Sequence, residues 1–532
     1  MTLSRSYWER ETDPPLLEAT VGDLLRSAVA SAPDRTALVA GVAEPAARRR
    51  WSYAELLDDA ERTARALLAR FDPGERVAVW APNVPEWVVL ELAAGLAGLV
   101  LVTVNPAFRS GELRYVLDQS RAAGLFYVPE FRGNAMAEVL AEVRGDLPAL
   151  RESLVLTELA ELAATASDAA ALPEVDPSSA AQIQYTSGTT GFPKGACLHH
   201  RGIVNNAAIT AACFEVQEGD VWLNPMPLFH TGGCVLGALG AISTVATHIP
   251  VLAFDPGLVL ELVETERAAV MGGVPTMLLA MREHPDFATR DLSCLRAVLS
   301  GGSTVPAHLV RELERDLGIR FGIVFGQTEA SPVISQTLLD DTPEDKAETI
   351  GRPHPHQDVK IVDPATGDVV GIDVVGEICS RGYNVMLGYF EMPEATAEAI
   401  DAEGWLHTGD LGSMDERGYL TIQGRLKDML IRGGENIYPR QIEEVLVEHP
   451  SVAEAAVVGI PDERWGEEVA AVVRLVPGAD PVDGDELHRW VRDRLAPQKA
   501  PRVWGFVHSF PLTASGKVQK FVLREKLMAD DL

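Results

Sequence analysis

Apolar and polar residues alternate with two different periods along most of the chain. Residues 75–83 and 98–106 are short apolar runs that end in Asn or Asn-Pro, as strands followed by turns do. Residues 85–96 and 111–120 repeat apolar positions at helical spacing. Strands that alternate with helices of this length predict crossover connections and a mainly parallel sheet.

The most apolar stretch, residues 88–104, contains Glu91, Gly95 and Gly98 and is closed by Asn105-Pro106. A membrane-spanning helix needs about 20 uninterrupted apolar residues. We therefore expect a buried helix followed by a core strand, and no integral membrane association. The N-terminal residues lack the apolar segment of a secretory signal.

Three changes of pattern organise the rest of the chain. Residues 164–180 are rich in Ala, Ser and Pro and predict a surface connection, whereas the short β runs of residues 355–424 predict a mostly antiparallel subdomain. Beyond Lys427 the pattern predicts helices at 439–450, 484–495 and 520–528 and strands at 452–460, 467–476 and 502–508. About 105 residues of this kind are enough for a separate core.

The predicted fold class is therefore α/β, in two parts. Residues 1–426 are expected to form a large N-terminal domain of stacked, mainly parallel sheets with helices and a β subdomain. Residues 427–532 are expected to form a small α+β C-terminal cap domain.

Composition limits the classes of partner. The chain has 532 residues, of which 47% are apolar and 23% charged, which excludes a disordered or fibrous protein. Its net charge of −31 argues against nucleic acid or an anionic membrane as a partner, because both bind through Lys and Arg. The five cysteines are scattered without a C-x-x-C, which argues against disulfides or a zinc cluster and favours a reducing, cytoplasmic location.

Lysine is rare, since only eight of the 46 basic residues are Lys. A lysine that persists in such a chain marks a position where a compact ammonium charge is needed. Lys194 is one of the eight, and it closes the run YTSGTTGFPKG, residues 185–195. The glycines permit sharp turns, and the hydroxyls and backbone N–H groups can surround a small anion. The run predicts a phosphate-binding loop, although it is not a Walker A motif.

This run resembles the phosphate loop of the adenylate-forming superfamily, which contains acyl-CoA synthetases, carrier-protein adenylation domains and luciferases. The resemblance continues over nearly the whole chain, through MPLFHTGG (226–233), SGGS (300–303), FGQTEAS (325–331), GEICSRGYNVMLGY (376–389), GWLHTGD (404–410), GRLKDMLIRGGENIYP (424–439) and PLTASGKVQK (511–520). The GGENIYP segment and the C-terminal residues look most like the medium-chain acyl-CoA ligase branch.

The resemblance implies ATP, Mg²⁺ and CoA as ligands and a carboxylic acid as the substrate, activated as an acyl-adenylate before it is transferred to the thiol. The implied catalytic residues are Lys517, His230, Glu329 and Lys194, with Thr186 and Glu329 at the metal. Lys427 is the implied hinge, about which the small domain rotates between the two half-reactions. The implied nucleotide and CoA contacts are Thr186, Ser187, Gly188, Thr189, Thr190, Gly191, Gly301, Gly302, Ser303, Phe325, Gly326, Gln327, Thr328, Asp410, Arg425, Gly433, Gly434 and Trp465.

Several alternatives stay open. Trp465 can pack on the small domain or line the CoA channel. His199 and His200 are interpreted as helix surface, with a ligand role as the alternative. The wall of the acyl site is expected in residues 231–240, in residues 301–303 and in the stretch after Glu329, and the glycines of the first segment, Gly232, Gly233, Gly237 and Gly240, would leave volume. The acid can be fatty, aryl, terpenoid or steroid. Transfer to a carrier-protein phosphopantetheine, specialisation for one half-reaction, a non-catalytic nucleotide-binding module and a homodimer are also considered.

Two residues depart from the family pattern. Phe325 stands where Tyr is more frequent, so that the ring is kept and the phenol is lost. His199 stands where Ser or Thr is usual.

Overall fold

The structure is a computed structural model, and it describes residues 2–167, 170–186, 193–302, 305, 307–433, 435–511, 518–529 and 531. The strands of this part of the chain are β1 (Tyr7–Trp8), β2 (Thr36–Val39), β3 (Arg50–Ser52), β4 (Arg76–Trp80), β5 (Val100–Val104), β6 (Gly124–Tyr127), β7 (Glu152–Val155), β8 (Ala180–Thr186), β9 (Lys194–His199), β10 (Val221–Asn224), β11 (Thr247–Pro250), β12 (Val270–Gly272), β13 (Ala297–Gly301), β14 (Arg320–Gly326), β15 (Val333–Gln336), β16 (Arg352–Pro353), β17 (Gln357–Val362), β18 (Gly376–Gly382), β19 (Gly388–Tyr389), β20 (Leu406–Met414), β21 (Leu420–Arg425), β22 (Leu430–Arg432), β23 (Glu435–Ile437), β24 (Val452–Asp462), β25 (Gly466–Leu475) and β26 (Val503–Phe506).

The helices that accompany these strands are α1 (Val21–Ser31), α2 (Tyr53–Leu68), α3 (Pro85–Ala97), α4 (Ser110–Gln119), α5 (Met136–Val143), α6 (Leu159–Ala163), α7 (His200–Cys213), α8 (Gly240–Ser243), α9 (Pro256–Thr265), α10 (Pro275–Glu283), α11 (Ala307–Leu317), α12 (Pro343–Glu348), α13 (Pro393–Ala399), α14 (Pro439–Val447), α15 (Gly484–Arg492) and α16 (Lys520–Met528). A π-helical segment, Gly232–Leu239, leads directly into α8.

The strands form four sheets. One sheet has the order β19-β9-β8-β5-β4-β6-β7, and a second has the order β16-β15-β14-β13-β12-β10-β11-β2-β3. Most neighbouring strands in both sheets are parallel. Antiparallel pairs lie at one end of the first sheet, β19-β9-β8, and at both ends of the second, β16-β15-β14 and β2-β3. A third, antiparallel sheet has the order β1-β17-β18-β20-β21, and the C-terminal sheet has the order β23-β22-β25-β24, with β26 on β25. The predicted α/β architecture is confirmed.

The predicted switch from a buried helix to a core strand lies at α3 and β5. Pro85 occupies the first turn of α3, where its missing N–H leaves no hydrogen bond unmade. Gly98 ends the helix with φ +65°, a left-handed conformation that a glycine adopts without strain. All five residues of β5 are buried. Among the described residues, no helix combines the length and the apolar character that crossing a bilayer requires.

A carboxylic acid lies in this core. Glu91 of α3 is 3% exposed, and its Oε1 accepts a 2.6 Å hydrogen bond from the Gln182 amide. Its second oxygen, Oε2, has no hydrogen-bond partner in the described part of the chain. Burial raises the pKa of Glu91 from 4.5 to about 8, because a charge in the core would be poorly solvated. Glu91 is therefore neutral at pH 7.

Glu91→Gln should change the pH dependence of stability. The unfolded chain ionises Glu91 above pH 4.5, whereas the folded chain holds the proton up to about pH 8. The parent therefore loses stability as pH rises through this window, by at most roughly 1.4 kcal/mol per pH unit. The neutral glutamine removes that loss. The difference in thermal midpoint, variant minus parent, should therefore increase as pH rises from 5 to 8. A difference that stays constant with pH would show that Glu91 is ionised in the folded protein.

Candidate active site

The predicted phosphate loop connects β8 to β9. These strands are antiparallel, and Thr186 at the end of β8 is paired with Lys194 at the start of β9. The Thr186 hydroxyl donates to the Lys194 carbonyl at 3.4 Å. Both ends of the loop therefore lie side by side. The loop residues Ser187, Gly188, Thr189, Thr190 and Gly191 lie outside the described residues.

Lys194 and Glu329 are brought together by Tyr389. The ammonium nitrogen of Lys194 lies 5.0 Å from the centre of the Tyr389 ring, within range of a cation–π interaction. The Tyr389 hydroxyl donates a 2.7 Å hydrogen bond to Glu329 Oε1. Burial and the Glu329 carboxylate raise the pKa of Tyr389, so the phenol stays protonated and donates. The cluster Lys194–Tyr389–Glu329 is the centre of the candidate site.

The backbone around Glu329 has little freedom. Gly326 ends β14, and a Cβ on it would lie 1.9 Å from the Pro332 carbonyl oxygen, so only glycine fits. Glu329 belongs to the single turn Thr328–Ala330 and is 8% exposed. Its backbone carbonyl accepts from Met386 N at 2.9 Å, which ties the turn to the loop before Tyr389. Phe325, Gln327 and Thr328 are half-buried beside it.

Gly301 and Gly302 lie at the carboxyl end of the neighbouring strand β13. Gly301 is paired in parallel with Val324, and a Cβ on Gly301 would lie 2.4 Å from the Val324 carbonyl oxygen. The SGGS and FGQTEAS segments are therefore adjacent at one edge of the nine-stranded sheet, where ligands of open α/β sheets bind. Ser303 lies outside the described residues.

His230 follows β10 at the same edge and is half-buried. Its Nδ1 accepts a 3.1 Å hydrogen bond from Gly232 N, so the neutral imidazole carries its proton on Nε2. The segment before it is held by Asn83, which donates to Met226 O at 2.9 Å and accepts from Leu228 N at 2.8 Å. Asn83 lies after β4, so it joins the two parallel sheets at the candidate site. The sequence analysis did not identify it.

The expectation that four glycines leave acyl volume is wrong for three of them. A Cβ on Gly233 would lie 2.1 Å from the Pro227 carbonyl oxygen, and a Cβ on Gly237 would lie 2.3 Å from the Asn224 amide nitrogen. A Cβ on Gly240 would lie 3.1 Å from Trp222. These glycines permit close packing of the π-helical segment. A Cβ on Gly232 would have more room, with Met226 at 3.3 Å and His230 at 3.4 Å.

Asp410 and Arg425 form a pair across β20 and β21. They occupy the same register, and Arg425 Nε lies 3.0 Å from Asp410 Oδ1. The Asp410 side chain is buried, whereas that of Arg425 is 44% exposed. The backbone N–H of Asp410 donates to the Thr408 hydroxyl at 3.0 Å. A buried carboxylate with one oxygen on a guanidinium suits a ligand that offers hydroxyl groups.

Three of the remaining predicted residues, Lys427, Gly433 and Trp465, lie in or near the C-terminal sheet. Lys427 is in the single turn Leu426–Asp428, between β21 and β22. Gly433 has φ +61°, and its N–H donates to the Trp465 carbonyl at 2.8 Å. A Cβ on Gly433 would lie 2.9 Å from the Trp465 ring, so Trp465 packs on the small domain. Gly434 and Lys517 lie outside the described residues.

Family models match two regions of the chain. Residues 25–390 match the model described as AMP-binding enzyme, and residues 441–517 match the AMP-binding enzyme C-terminal domain. The first match alone covers more than half of the chain. The chain belongs to the AMP-binding enzyme family. The predicted boundary at Lys427 lies between the two matched regions and stays a prediction.

Known members of this family resemble the chain over nearly its full length. A Bacillus subtilis (strain 168) protein, provisionally named acyl-CoA synthetase YngI, is 43% identical over 96% of this chain and 97% of its own. The human mitochondrial medium-chain acyl-CoA ligase ACSF2 is 35% identical over 98% of this chain and 90% of its own. ATP-bound MatB from Rhodopseudomonas palustris is 31% identical with a TM-score of 0.87, covering 97% of this chain and 100% of that one. The predicted ATP-dependent, AMP-forming acyl-CoA ligase is confirmed as the enzyme class.

The interpretation of His199 and His200 as helix surface is wrong for this AMP-binding enzyme. His200 is fully buried, and its Nδ1 accepts from Val21 N at 3.3 Å. His199 precedes α7, and its Nδ1 accepts from Gly202 N at 3.0 Å. The imidazole thus performs the capping role that Ser and Thr perform in other helices, which explains how the departure from the family pattern is tolerated.

Proposed function

We propose that this ligase activates a hydrophobic carboxylic acid as an acyl-adenylate and transfers it to CoA at the same site. The observation that carries the proposal is the cluster Lys194–Tyr389–Glu329, beside the carboxyl edge of the nine-stranded sheet. It sets a cation, a neutral donor and a carboxylate next to the ends of the phosphate loop. Relatives named medium-chain ligases favour an apolar acid of intermediate length.

In the first half-reaction a carboxylate oxygen attacks the α-phosphorus of ATP, and the bond to pyrophosphate breaks. Two anions must approach each other, so fixed positive charge lowers the barrier. We assign Lys194 and the loop N–H groups to the β- and γ-phosphates and Lys517 to the carboxylate and α-phosphate oxygens. His230 carries its proton on Nε2 and is assigned as a donor to the carboxylate, which it orients for attack.

The adenosine contacts are assigned by position at the sheet edge. Gly301 and Gly302 are assigned to the edge of the adenine and Phe325 to its face, and Ser303 is assigned with them from the SGGS motif alone. Gly326, Gln327 and Thr328 continue this wall toward Glu329. Asp410 and Arg425 are assigned to the ribose hydroxyls.

Thr186 and Glu329 suit a magnesium ion chemically, because they offer a hydroxyl beside the Lys194 backbone and a carboxylate on the Tyr389 hydroxyl. Oxygen ligands of this kind are the ones that Mg²⁺ prefers, together with its own waters. When bound, the ion would offset phosphate charge. The Tyr389 hydroxyl would hold Glu329 in place whether or not the ion is bound.

The second half-reaction requires the thiol of CoA to reach the adenylate carbonyl, with AMP as the leaving group. We assign this step to the turn at Gly433, together with Gly434 after it. Trp465 fills the side-chain position of Gly433, and the Arg432 and Arg464 guanidiniums lie 5.1 Å and 4.7 Å from the centre of its ring, so we assign Trp465 to the support of this turn. Rotation about Lys427 would exchange Lys517 for the turn at the site.

Acid-dependent exchange of pyrophosphate into ATP tests the first half-reaction without CoA. The proposal predicts exchange with apolar acids and none without acid. Addition of CoA should then release AMP and give thioester. Absence of exchange with every acid would favour the non-catalytic nucleotide-binding module, and release of AMP only with a phosphopantetheinyl carrier protein would favour carrier loading.

Asp410→Ala should raise the KM for ATP at least roughly tenfold, because charge-assisted hydrogen bonds to ribose are worth about 1.5–3 kcal/mol each. Arg425 is exposed enough to remain solvated when its partner is removed. Asp410→Asn keeps the shape and loses the charge, so its effect should be smaller. An unchanged ATP affinity of Asp410→Ala by calorimetry would refute the ribose assignment.

A further inference from the structure

Four neighbouring parallel strands, β10, β12, β13 and β14, end at the edge where the candidate site lies. Three of them end in glycine, at Gly272, Gly301 and Gly326. The Cβ positions of Gly301 and Gly326 are filled by backbone, as described above. The Cβ position of Gly272 is different, because the nearest group is the side chain of Met226 at 3.8 Å.

Met226 also lies over Gly232. Its terminal methyl group would be 3.3 Å from a Cβ on Gly232, and His230 Nδ1 would be 3.4 Å from the same point. The Met226 methyl group and the His230 imidazole therefore both border the Cβ position of Gly232. Met226 is half-buried there, between two residues without side chains. The space that these two glycines leave is occupied by Met226.

The backbone of Met226 is fixed from both sides. Its carbonyl accepts from the Asn83 amide at 2.9 Å, and its N–H donates to Asn224 Oδ1 at 3.1 Å. Only the side chain can adjust. Methionine has three rotatable bonds and a polarizable sulfur, so it adapts its shape to an apolar neighbour.

We propose that Met226 is the residue that sets the length of acid this ligase accepts. The inference rests on the proposed function, in which His230 lies at the acid carboxylate. An acyl chain that leaves this carboxylate meets the Met226 thioether, and the thioether limits the depth of the site. Beyond its Cβ, Met226 has three heavy atoms, which is the volume of about two to three methylene groups.

Met226→Ala should therefore move the optimum of kcat/KM by about two to three carbons toward longer acids, in a series of straight-chain acids from butanoic to hexadecanoic. The KM for ATP should not change. Gly232→Ala should move the optimum toward shorter acids, because its methyl group competes with the thioether. The double variant should return toward the parent profile. Met226→Leu conserves volume and is the matched control, with an unchanged optimum.

Pyrophosphate exchange is the readout, since it reports on the acid without CoA, and thermal melting checks the fold of each variant. If Met226→Ala changes kcat/KM for every acid by the same factor and keeps the parent optimum, Met226 is structural and the inference is wrong. If the parent shows no acid-dependent exchange, the proposed function fails and the inference fails with it. A parent optimum that Met226→Ala leaves in place contradicts the inference alone.

Discussion

Lys517→Ala should lose adenylate formation by about 100-fold or more, which corresponds to removal of roughly 3 kcal/mol of fixed charge stabilisation. The charge matters because the carboxylate and the α-phosphate repel each other as they join. Once pyrophosphate has left, this repulsion no longer exists. With synthetic acyl-adenylate and CoA, the variant should form thioester at close to the parent rate.

Lys526 provides the matched control for this substitution. It is an exposed lysine near the end of α16, so Lys526→Ala removes the same charge at a position to which no contact with substrate is assigned. Both half-reactions should persist in it. Equal failure of Lys517→Ala with ATP and with preformed adenylate would show that Lys517 holds the structure or CoA, and its assignment would be withdrawn.

Lys427→Pro should spare adenylate formation and slow thioester formation at least roughly tenfold. Proline fixes φ near −65° and removes a backbone donor, so the turn between β21 and β22 can no longer take a second conformation. In the proposed function the two half-reactions use different faces of the small domain, so a blocked turn would hold the domain in the orientation of one half-reaction. Single-turnover measurements of each half-reaction separate the two effects.

Lys427→Ala is the control for the hinge. It removes the side chain but leaves the backbone free to rotate, so any loss that it shares with Lys427→Pro belongs to the side chain. The hinge assignment is contradicted if Lys427→Pro lowers both half-reactions equally or leaves both unchanged.

The local elements of the fold could be predicted closely from the sequence. The helix at 85–96 and the strand at 98–106 correspond to α3 and β5, and the C-terminal pattern gives α14 to α16 and β24 to β26 in order. Hydrophobic period identifies such elements because it reflects which face each one buries. It carries no information on which strands are neighbours, so the pairing of β1 with β17 could not be foreseen.

The candidate site was predicted residue by residue but not as a network. The motifs gave Lys194 and Glu329, but not Tyr389 between them, although Tyr389 ends one of the quoted motifs. Asn83 lies in no motif, and its role appears only when the two sheets meet. The packing of Gly233, Gly237 and Gly240 could not be predicted, since a sequence does not distinguish a glycine that leaves a cavity from one that admits a neighbouring backbone or side chain.

The most direct test of the central claim is mass spectrometry of the products formed from ATP, CoA and a panel of fatty, aryl, terpenoid and steroid acids. The account predicts a thioester for at least one apolar acid, with one AMP released for each thioester, and an acyl-adenylate that accumulates when CoA is omitted. ADP as the nucleotide product of thioester formation would contradict the account. So would the absence of acyl-adenylate when CoA is omitted.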